Sequence, residues 1–221
     1  MNNIYNFAIF NIYKKMSTLL KIHPVTPQLR EILQAVEILR NDGVIIYPTD
    51  SVYALGCSMF SKKALERLAL FKGIKLSKSR FSFICDSLAD LSEYTMPLSA
   101  NVFKMLKRNT PGPFTFVLPA SKKIPRIFDN SRKTVGLRIP DSNILSMIVH
   151  ELGNPLVTTS IHDEDEVIEY STDPELIWDR YKNQVDLVID GGYGNNNPTA
   201  IVDCTGKEIE VLRYGIKDLE W

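Results

Sequence analysis

The segment of the sequence best suited to chemistry is a short polar stretch that follows a run of apolar residues. Val44–Tyr47 is apolar and β-branched, a pattern typical of a strand buried on both faces, and Pro48 ends it. Thr49, Asp50 and Ser51 come next, so two hydroxyls and a carboxylate stand at a strand end, where open α/β sheets bind ligands. A turn in which these side chains only cap the next element is the alternative from this segment alone.

Helices are predicted from apolar residues that recur at three- and four-residue steps. Over 27–41 this spacing predicts an amphipathic helix with Thr26 as its N-cap and Gly43 as its terminator. Ser61 and Asp173 are predicted to cap two later helices. The further helices are predicted over 61–71, 100–108, 143–152 and 174–182.

The predicted strands are short and lie between these helices. They span 44–47, 81–85, 114–118, 134–139, 156–160, 187–190, 200–203 and 208–213. A loop that contains Gly56 is predicted between the first strand and the second helix. Interleaved strands and helices, without a repeat or a low-complexity stretch, predict a single α/β domain built on an open, twisted, mixed sheet with flanking helices.

Composition places the chain among ordinary soluble globular proteins. Of the 221 residues, 44% are hydrophobic and 24% are charged, so the chain can build a sizeable core. Lys plus Arg and Asp plus Glu number 26 each, so no overall charge favours nucleic acid or membrane. Any basic site must be local.

The cysteines and the N-terminal segment set the expected compartment and domain limits. Cys57, Cys85 and Cys204 form no CxxC pair and no His/Cys cluster, which indicates reduced thiols in a cytoplasmic protein and no structural metal. The first 20 residues contain no apolar run long enough for a membrane span and no signal-peptide pattern. Residues 1–19 are predicted to be a poorly ordered extension, with Met16 as an alternative start, and 20–221 a single domain.

The sequence resembles the YrdC family, whose members carry a Pro-Thr-Asp/Glu-Thr-x-Tyr-Gly-Leu-Gly loop after the first buried strand. Residues 48–57 match this loop, with Ser51 in place of Thr and Ala54 in place of Gly. The resemblance extends over roughly residues 20–215, and within the family it is greatest to the YciO branch. Further family motifs follow in order at Lys72-Gly73, Pro111–Thr115, Leu137–Pro140, Pro155–Ser160, Pro198-Thr199 and Leu212–Gly215. The YciO features are at Phe81–Leu88, Asn109–Gly112, Arg132–Gly136 and Asp186–Tyr193.

The resemblance implies a YrdC-like fold with a concave, basic cavity that binds ATP, threonine and bicarbonate, together with Mg²⁺. The family reaction forms threonylcarbamoyl-adenylate and pyrophosphate, for modification of the adenosine beside the tRNA anticodon. Carbamate formed from threonine attacks the α-phosphate, so no protein nucleophile is needed. Such a site acts by holding two anions together and by neutralising the charge that develops on the phosphates.

The resemblance also assigns roles to individual residues. Tyr53 is assigned to the cavity wall, with a purely core aromatic as the alternative. Arg138 lies where a strand ends at Pro140, so Arg138→Ala is expected to weaken ligand binding by at least about tenfold and to leave the fold intact. The catalytic candidates are Lys72, Arg138 and Ser160; the ligand-binding candidates are Thr49, Ser51, Tyr53, Lys78, Thr115, Thr199 and Arg213; and Pro111, Gly112 and Pro113 are expected to shape the cavity.

Two positions depart from the pattern of active synthases. Those proteins carry Lys-x-Arg and Ser-x-Asn, where this chain has Ile74 and His162 as the final residues. Loss of one charge-assisted phosphate contact is expected to reduce binding or rate by about 10- to 100-fold, although Lys75, Lys78 or Arg80 could supply the missing charge. A module that binds double-stranded RNA or tRNA without forming an adenylate is the alternative function.

Overall fold

The computed structural model describes residues 16–125, 133–161 and 172–221. Within these residues lie ten strands, six α-helices and a one-turn 3-10 helix at Leu76–Lys78. The strands are β1 (Thr18–Lys21), β2 (Ile45–Tyr47), β3 (Ala54–Ser58), β4 (Ser82–Ile84), β5 (Phe114–Pro119), β6 (Thr134–Arg138), β7 (Leu156–Ser160), β8 (Leu187–Asp190), β9 (Ala200–Asp203) and β10 (Glu210–Arg213). The helices are α1 (Leu29–Arg40), α2 (Lys62–Phe71), α3 (Leu88–Glu93), α4 (Ala100–Asn109), α5 (Asn143–Leu152) and α6 (Pro174–Tyr181).

The ten strands form one mixed sheet, in the order β1, β8, β2, β3, β7, β4, β6, β5, β9, β10. β8 runs parallel to both of its neighbours, and β4 with β6 and β5 with β9 are also parallel pairs. The remaining neighbours are antiparallel. This arrangement confirms the predicted mixed α/β sheet and places segments that are distant in sequence side by side.

Helices cover the sheet on both faces, and two apolar clusters form the core. α1 and α5 contribute Ile32 and Ile148 to a cluster that includes Ile45 of β2. α2 contributes Leu65 to a second cluster that includes Ile46, the next residue of the same strand. Because successive strand residues point to opposite faces, the two clusters lie on opposite faces of the sheet.

Polar side chains fix the starts of several helices. Ser61 accepts a hydrogen bond from the backbone of the first turn of α2, and Asp173 does the same for α6, which confirms both predicted caps. The predicted cap at Thr26 is wrong, because α1 begins two residues later, after Gln28. The Thr26 hydroxyl lies 3.1 Å from Nδ1 of His23 instead.

The segment around Gly56 is a strand and not the predicted loop. β3 lies between β2 and β7 and pairs with both. A Cβ atom at Gly56 would lie 2.5 Å from the Tyr47 hydroxyl and 2.6 Å from the carbonyl oxygen of Val157. Glycine is therefore required by close packing across the centre of the sheet, a use of this residue that a turn-based reading misses.

The N-terminal part of the described chain belongs to the sheet. β1 begins at Thr18, two residues before the expected domain boundary, and pairs in parallel with β8. The amide of Ser17 donates to the carbonyl of Lys182, 2.9 Å away. Residues 1–15, which include most of the predicted extension, lie outside the described residues.

Candidate functional site

Arg138 lies at the centre of the candidate site, at the C-terminal end of β6. Only 5% of its surface is exposed. Its Nη2 donates to the hydroxyls of Thr49 and Ser51, at 3.2 and 3.0 Å, and to a carboxylate oxygen of Asp50. Its Nε is buried and has no acceptor among the described residues. The site therefore holds a buried positive group with an unused hydrogen-bond donor.

Asp50, which was not among the predicted site residues, fixes this arrangement. One carboxylate oxygen pairs with Arg138, and the other accepts from the amide of Asp141, 2.9 Å away. The Asp50 side chain is 10% exposed. The position lies between two predicted hydroxyl ligands, but the sequence does not reveal that its partner is an arginine 88 residues away.

A glycine-rich segment after β8 supports the loop at residues 49–51. The amide of Asn195 donates to the carbonyl of Ser51 at 3.1 Å. The Tyr53 hydroxyl donates to the carbonyl of Gly192 at 2.7 Å, and a Cβ at Gly194 would lie 2.6 Å from the Tyr53 ring. Tyr53 is fully buried in the core, and burial raises the pKa of its hydroxyl above the usual value. The full burial of Tyr53 and its packing against the glycine-rich segment favour the alternative of a core aromatic, and its assignment to a cavity wall stays a prediction.

A row of hydroxyl groups crosses the sheet face that carries Arg138. The Tyr47 hydroxyl donates to the hydroxyl of Thr158 at 2.7 Å, and Thr158 pairs with Ser82 of β4. Ser82 pairs in turn with Gly136 of β6. A Cβ at Gly136 would lie 3.0 Å from Ser82 Oγ and 3.4 Å from Thr115 Cγ2, so these small polar groups share one face. Gly136 is two residues before Arg138, so the row and the guanidinium point to the same side.

Thr115, Thr199 and Arg213 form a second polar group. The Thr115 and Thr199 hydroxyls are 3.3 Å apart. Arg213 donates to the carbonyl of Thr199 through Nε at 3.1 Å and to its hydroxyl through Nη2 at 3.3 Å. Thr115 lies on β5, which pairs with the strand of Arg138. The structure thus brings three predicted ligand-binding residues together beside Arg138, and their role in binding stays a prediction.

The Pro111–Pro113 segment joins the two polar groups. The amide of Gly112 donates to the carbonyl of Ile139 at 2.8 Å, directly after Arg138. The carbonyl of Pro113 accepts from the amide of Ala200 at 3.0 Å, directly after Thr199. These bonds tie the end of β6 to the start of β9. The segment links the strand that carries Arg138 to the strand that begins at Ala200, and its role in shaping a cavity stays a prediction.

The remaining predicted residues lie at the end of α2, in the 3-10 helix that follows it, and at the end of β7. Lys72 is half-buried at the C-terminus of α2, and Lys78 is exposed in the 3-10 helix. Ser160, also half-buried, pairs with Ala54 of β3. No hydrogen bond or ion pair joins the Lys78 side chain to another described residue. The structure therefore does not join Lys78 to Arg138.

Ile74, where synthases carry arginine, belongs to the C-terminal cap of α2. Gly73 has a φ of +63°, its amide donates to the carbonyl of Leu70, and the amide of Ile74 donates to the carbonyl of Ala69. These two bonds form a Schellman motif, and the Ile74 side chain is 41% exposed. The second departing residue, His162, lies outside the described residues.

The buried thiols and the carboxylates differ in the chemistry that they can offer. Burial raises the pKa of the Cys57 thiol to about 12, so a Cys57 thiolate is scarcely populated at neutral pH. The described residues contain no group of three His, Cys, Asp or Glu side chains that could hold a metal ion. Both oxygens of Asp50 are hydrogen-bonded, so this carboxylate has no free oxygen to offer Mg²⁺ in this arrangement, and the expected Mg²⁺ stays a prediction.

Two cavities of the described chain lie away from these residues. One of about 460 Å³ lies between α4 and the turn that joins β9 to β10, and one of about 230 Å³ lies beneath the C-terminal segment. Neither is lined by a predicted site residue. A concave, basic cavity over the Arg138 face stays a prediction. No helix in the described ranges combines the length and apolarity needed to cross a membrane.

Comparison with known proteins places this geometry in a family. The sequence model named for Sua5, YciO and YrdC, with the description "Telomere recombination", matches residues 37–215. The chain belongs to the Sua5/YciO/YrdC family. YciO of Escherichia coli K12 is 41% identical over 206 residues, which are 93% of this chain and 98% of that protein. A threonylcarbamoyl-AMP synthase of Coxiella burnetii is 29% identical over 181 residues, 81% of this chain and 96% of that protein.

Solved structures of the Sua5/YciO/YrdC family share the fold. The crystal structure of E. coli YciO superposes with a TM-score of 0.85 at 42% identity, covering 92% of this chain and 98% of that one. Sua5 of P. abyssi, crystallised with L-threonine, gives a TM-score of 0.80 at 22% identity, covering 90% of this chain and 58% of that one. The family assignment made from the motifs is thus confirmed, as is the YrdC-like fold.

Proposed function

We propose that this chain catalyses formation of threonylcarbamoyl-adenylate from ATP, threonine and bicarbonate, a step linked to tRNA modification. The observation that carries the proposal is Arg138, a buried guanidinium with an unused Nε donor beside the hydroxyls of Thr49 and Ser51. An unsatisfied buried donor is costly, and an anionic ligand would remove that cost. Support also comes from the threonylcarbamoyl-AMP synthase of C. burnetii, which spans 81% of this chain.

The reaction requires the protein to position the substrates and neutralise their charge, and it does not require covalent catalysis by a side chain. The threonine amine adds to bicarbonate with loss of water, and a carbamate oxygen then attacks the α-phosphorus as pyrophosphate leaves. Arg138 would hold one anion, while Arg213 with Thr199 and Thr115 would hold a second group on the adjoining strands. Two anions fixed near each other gain effective concentration, and fixed donors stabilise charge as it shifts to the leaving group.

The rate is expected to be low compared with that of enzymes that carry the full Lys-x-Arg pattern. Ile74 presents a half-exposed apolar side chain where an arginine would provide a charge-assisted contact. One such contact is worth about 10- to 100-fold. Lys75 and Arg80 are exposed near this position, and neither is placed on the Arg138 side of the sheet by a described contact.

Release of pyrophosphate from ATP tests the proposal. Release should require threonine and bicarbonate together, and omission of either should reduce it to the background hydrolysis rate. Arg138→Lys, which keeps the charge but loses the planar fork of donors, should reduce release by at least about tenfold. Release that is independent of threonine or of bicarbonate would contradict the proposed reaction.

A second candidate function, RNA binding, is favoured by one surface segment. Residues 67–85 contain no acidic residue. Within this stretch Lys75, Lys78 and Arg80 are exposed. Such a segment can contact phosphates without reading sequence. RNA affinity that falls steeply as salt rises, without threonine-dependent pyrophosphate release, would favour this candidate over the synthase.

A further inference from the structure

We infer that Asp50 is a positioning residue that holds the guanidinium of Arg138 in the orientation in which its Nε can donate to an anionic ligand. The inference rests on the proposed function only for the identity of the ligands. Asp50 contacts no reacting atom in this proposal and acts through Arg138. Replacing Asp50 should therefore have two effects. It should loosen the Arg138 side chain even without a ligand, and it should lower ligand affinity.

Asp50 joins three separate parts of the site. It belongs to the loop after β2, its Oδ1 pairs with Arg138 at the end of β6, and its Oδ2 accepts from the amide of Asp141, just before α5. A carboxylate can serve these two donors because both oxygens are acceptors. The two donors meet different oxygens of Asp50. In an asparagine one of these two atoms is an NH₂ group, which donates and does not accept, so one of the two contacts is lost.

The contacts of Arg138 explain why this matters for binding. Among the described residues, the side-chain acceptors of its Nη2 belong to Thr49, Asp50 and Ser51. Because a guanidinium is planar and rigid, holding one nitrogen also fixes the plane of the others. Nε is thereby kept as a fixed donor for an anion. Without Asp50 the charged group that opposes Arg138 is lost, and two neutral hydroxyls remain.

The chain offers a matched control at Asp186. Its Oδ2 accepts from Arg67 Nη1 and from the amide of Val44, both at 2.7 Å, so it also bridges an arginine and a backbone amide. This bridge lies at the start of β2 and β8, whereas Asp50 follows the end of β2. Asp186→Asn therefore tests the loss of a carboxylate charge beside an arginine away from the candidate site.

The first experiment needs no ligand. The ¹⁵N Nε–H signal of Arg138, assigned from its backbone and absent in Arg138→Lys, should exchange slowly with solvent in the full chain. Asp50→Asn should accelerate this exchange by at least about tenfold, whereas Asp186→Asn should leave it within about twofold. An unchanged exchange rate in Asp50→Asn would overturn the inference. This result would stand whether or not the protein forms an adenylate.

The second experiment measures L-threonine and ATP with magnesium separately by calorimetry. Asp50→Asn should weaken at least one of these probes by about tenfold, while Asp186→Asn keeps wild-type affinity. Asp50→Glu, which retains two charged acceptors, should recover affinity and Nε–H protection to within about threefold of the wild type.

The outcomes separate the two hypotheses. If the Nε–H signal changes but both affinities stay at the wild-type value, positioning for binding is overturned. If Asp50→Glu behaves like Asp50→Asn, the carboxylate is not what orients Arg138, and the inference also falls. If the wild type binds neither probe, the proposed function fails, while the exchange rates still decide whether Asp50 orients Arg138.

Discussion

Removing the Arg138 side chain should destabilise the protein as well as weaken binding. Arg138 and Asp50 form an ion pair in which the side chains are 7% and 10% exposed. Arg138→Ala would leave the Asp50 carboxylate nearly buried, with the amide of Asp141 as its remaining partner. The structure therefore revises the expectation from the sequence that this substitution leaves the fold untouched.

The magnitude follows from the burial of the pair. Removing one partner of a buried ion pair costs about 3–5 kcal/mol, because it leaves an uncompensated charge. For a chain of this size, about 3 kcal/mol corresponds to a fall in Tm of roughly 6–12 °C. Removing both charges should cost less, so Asp50→Asn with Arg138→Ala should be more stable than Arg138→Ala by about 1 kcal/mol or more.

Urea unfolding of the wild type and of these two variants measures these differences, with Arg67→Ala as the control. Arg67 pairs with Asp186, but those side chains are 29% and 39% exposed, so its removal should cost about 1 kcal/mol or less. A loss below about 1 kcal/mol for Arg138→Ala would show that Arg138 behaves as a surface charge. Failure of the double variant to recover stability would refute the argument from an unpaired carboxylate.

Three further predictions concern the two positions that depart from the synthase pattern, the packing of the sheet at Gly56, and the reactivity of the cysteine thiols. Ile74→Arg combined with His162→Asn should raise pyrophosphate release by about 10- to 100-fold, and this gain should exceed the product of the two single effects; a flat rate in a double variant that still binds ATP would mean that these side chains do not limit the reaction. Gly56→Ala should destabilise the fold by about 1–3 kcal/mol in urea unfolding, because its methyl carbon would lie 2.6 Å from a backbone oxygen; wild-type stability would show that the sheet can shift. Because burial raises the pKa of Cys57 and Cys204 to about 12, both should stay in the unreactive thiol form up to about pH 10 and react with iodoacetamide at pH 8 only after unfolding; rapid native labelling would contradict this.

Much of the fold follows from local patterns in the sequence. The alternation of helices and strands, the caps at Ser61 and Asp173 and the buried strand before the polar loop all depend on short-range spacing. β1 was not predicted because its four residues carry no strong pattern and it is defined by pairing with β8, about 170 residues later. Gly56 was assigned to a loop because glycine also serves close packing, which only the neighbouring strands reveal.

The sequence predicted the types of residue in the site, but not which of them contact one another. The family motifs placed Arg138, Thr49 and Ser51 together, and these contact one another in the structure. The role of Asp50 depends on an arginine far along the chain, and the burial of Tyr53 depends on a glycine-rich segment after β8. Such long-range contacts are set by sheet order, which local spacing does not determine.

Direct detection of the adenylate tests the central claim most sharply. The purified full chain would be incubated with ATP, magnesium, L-threonine and ¹³C-bicarbonate, and the products analysed by mass spectrometry. We predict threonylcarbamoyl-adenylate that carries the ¹³C label, at a level that falls by at least about tenfold in Arg138→Lys. Absence of the labelled adenylate from a wild-type protein that is folded and binds ATP would contradict the account.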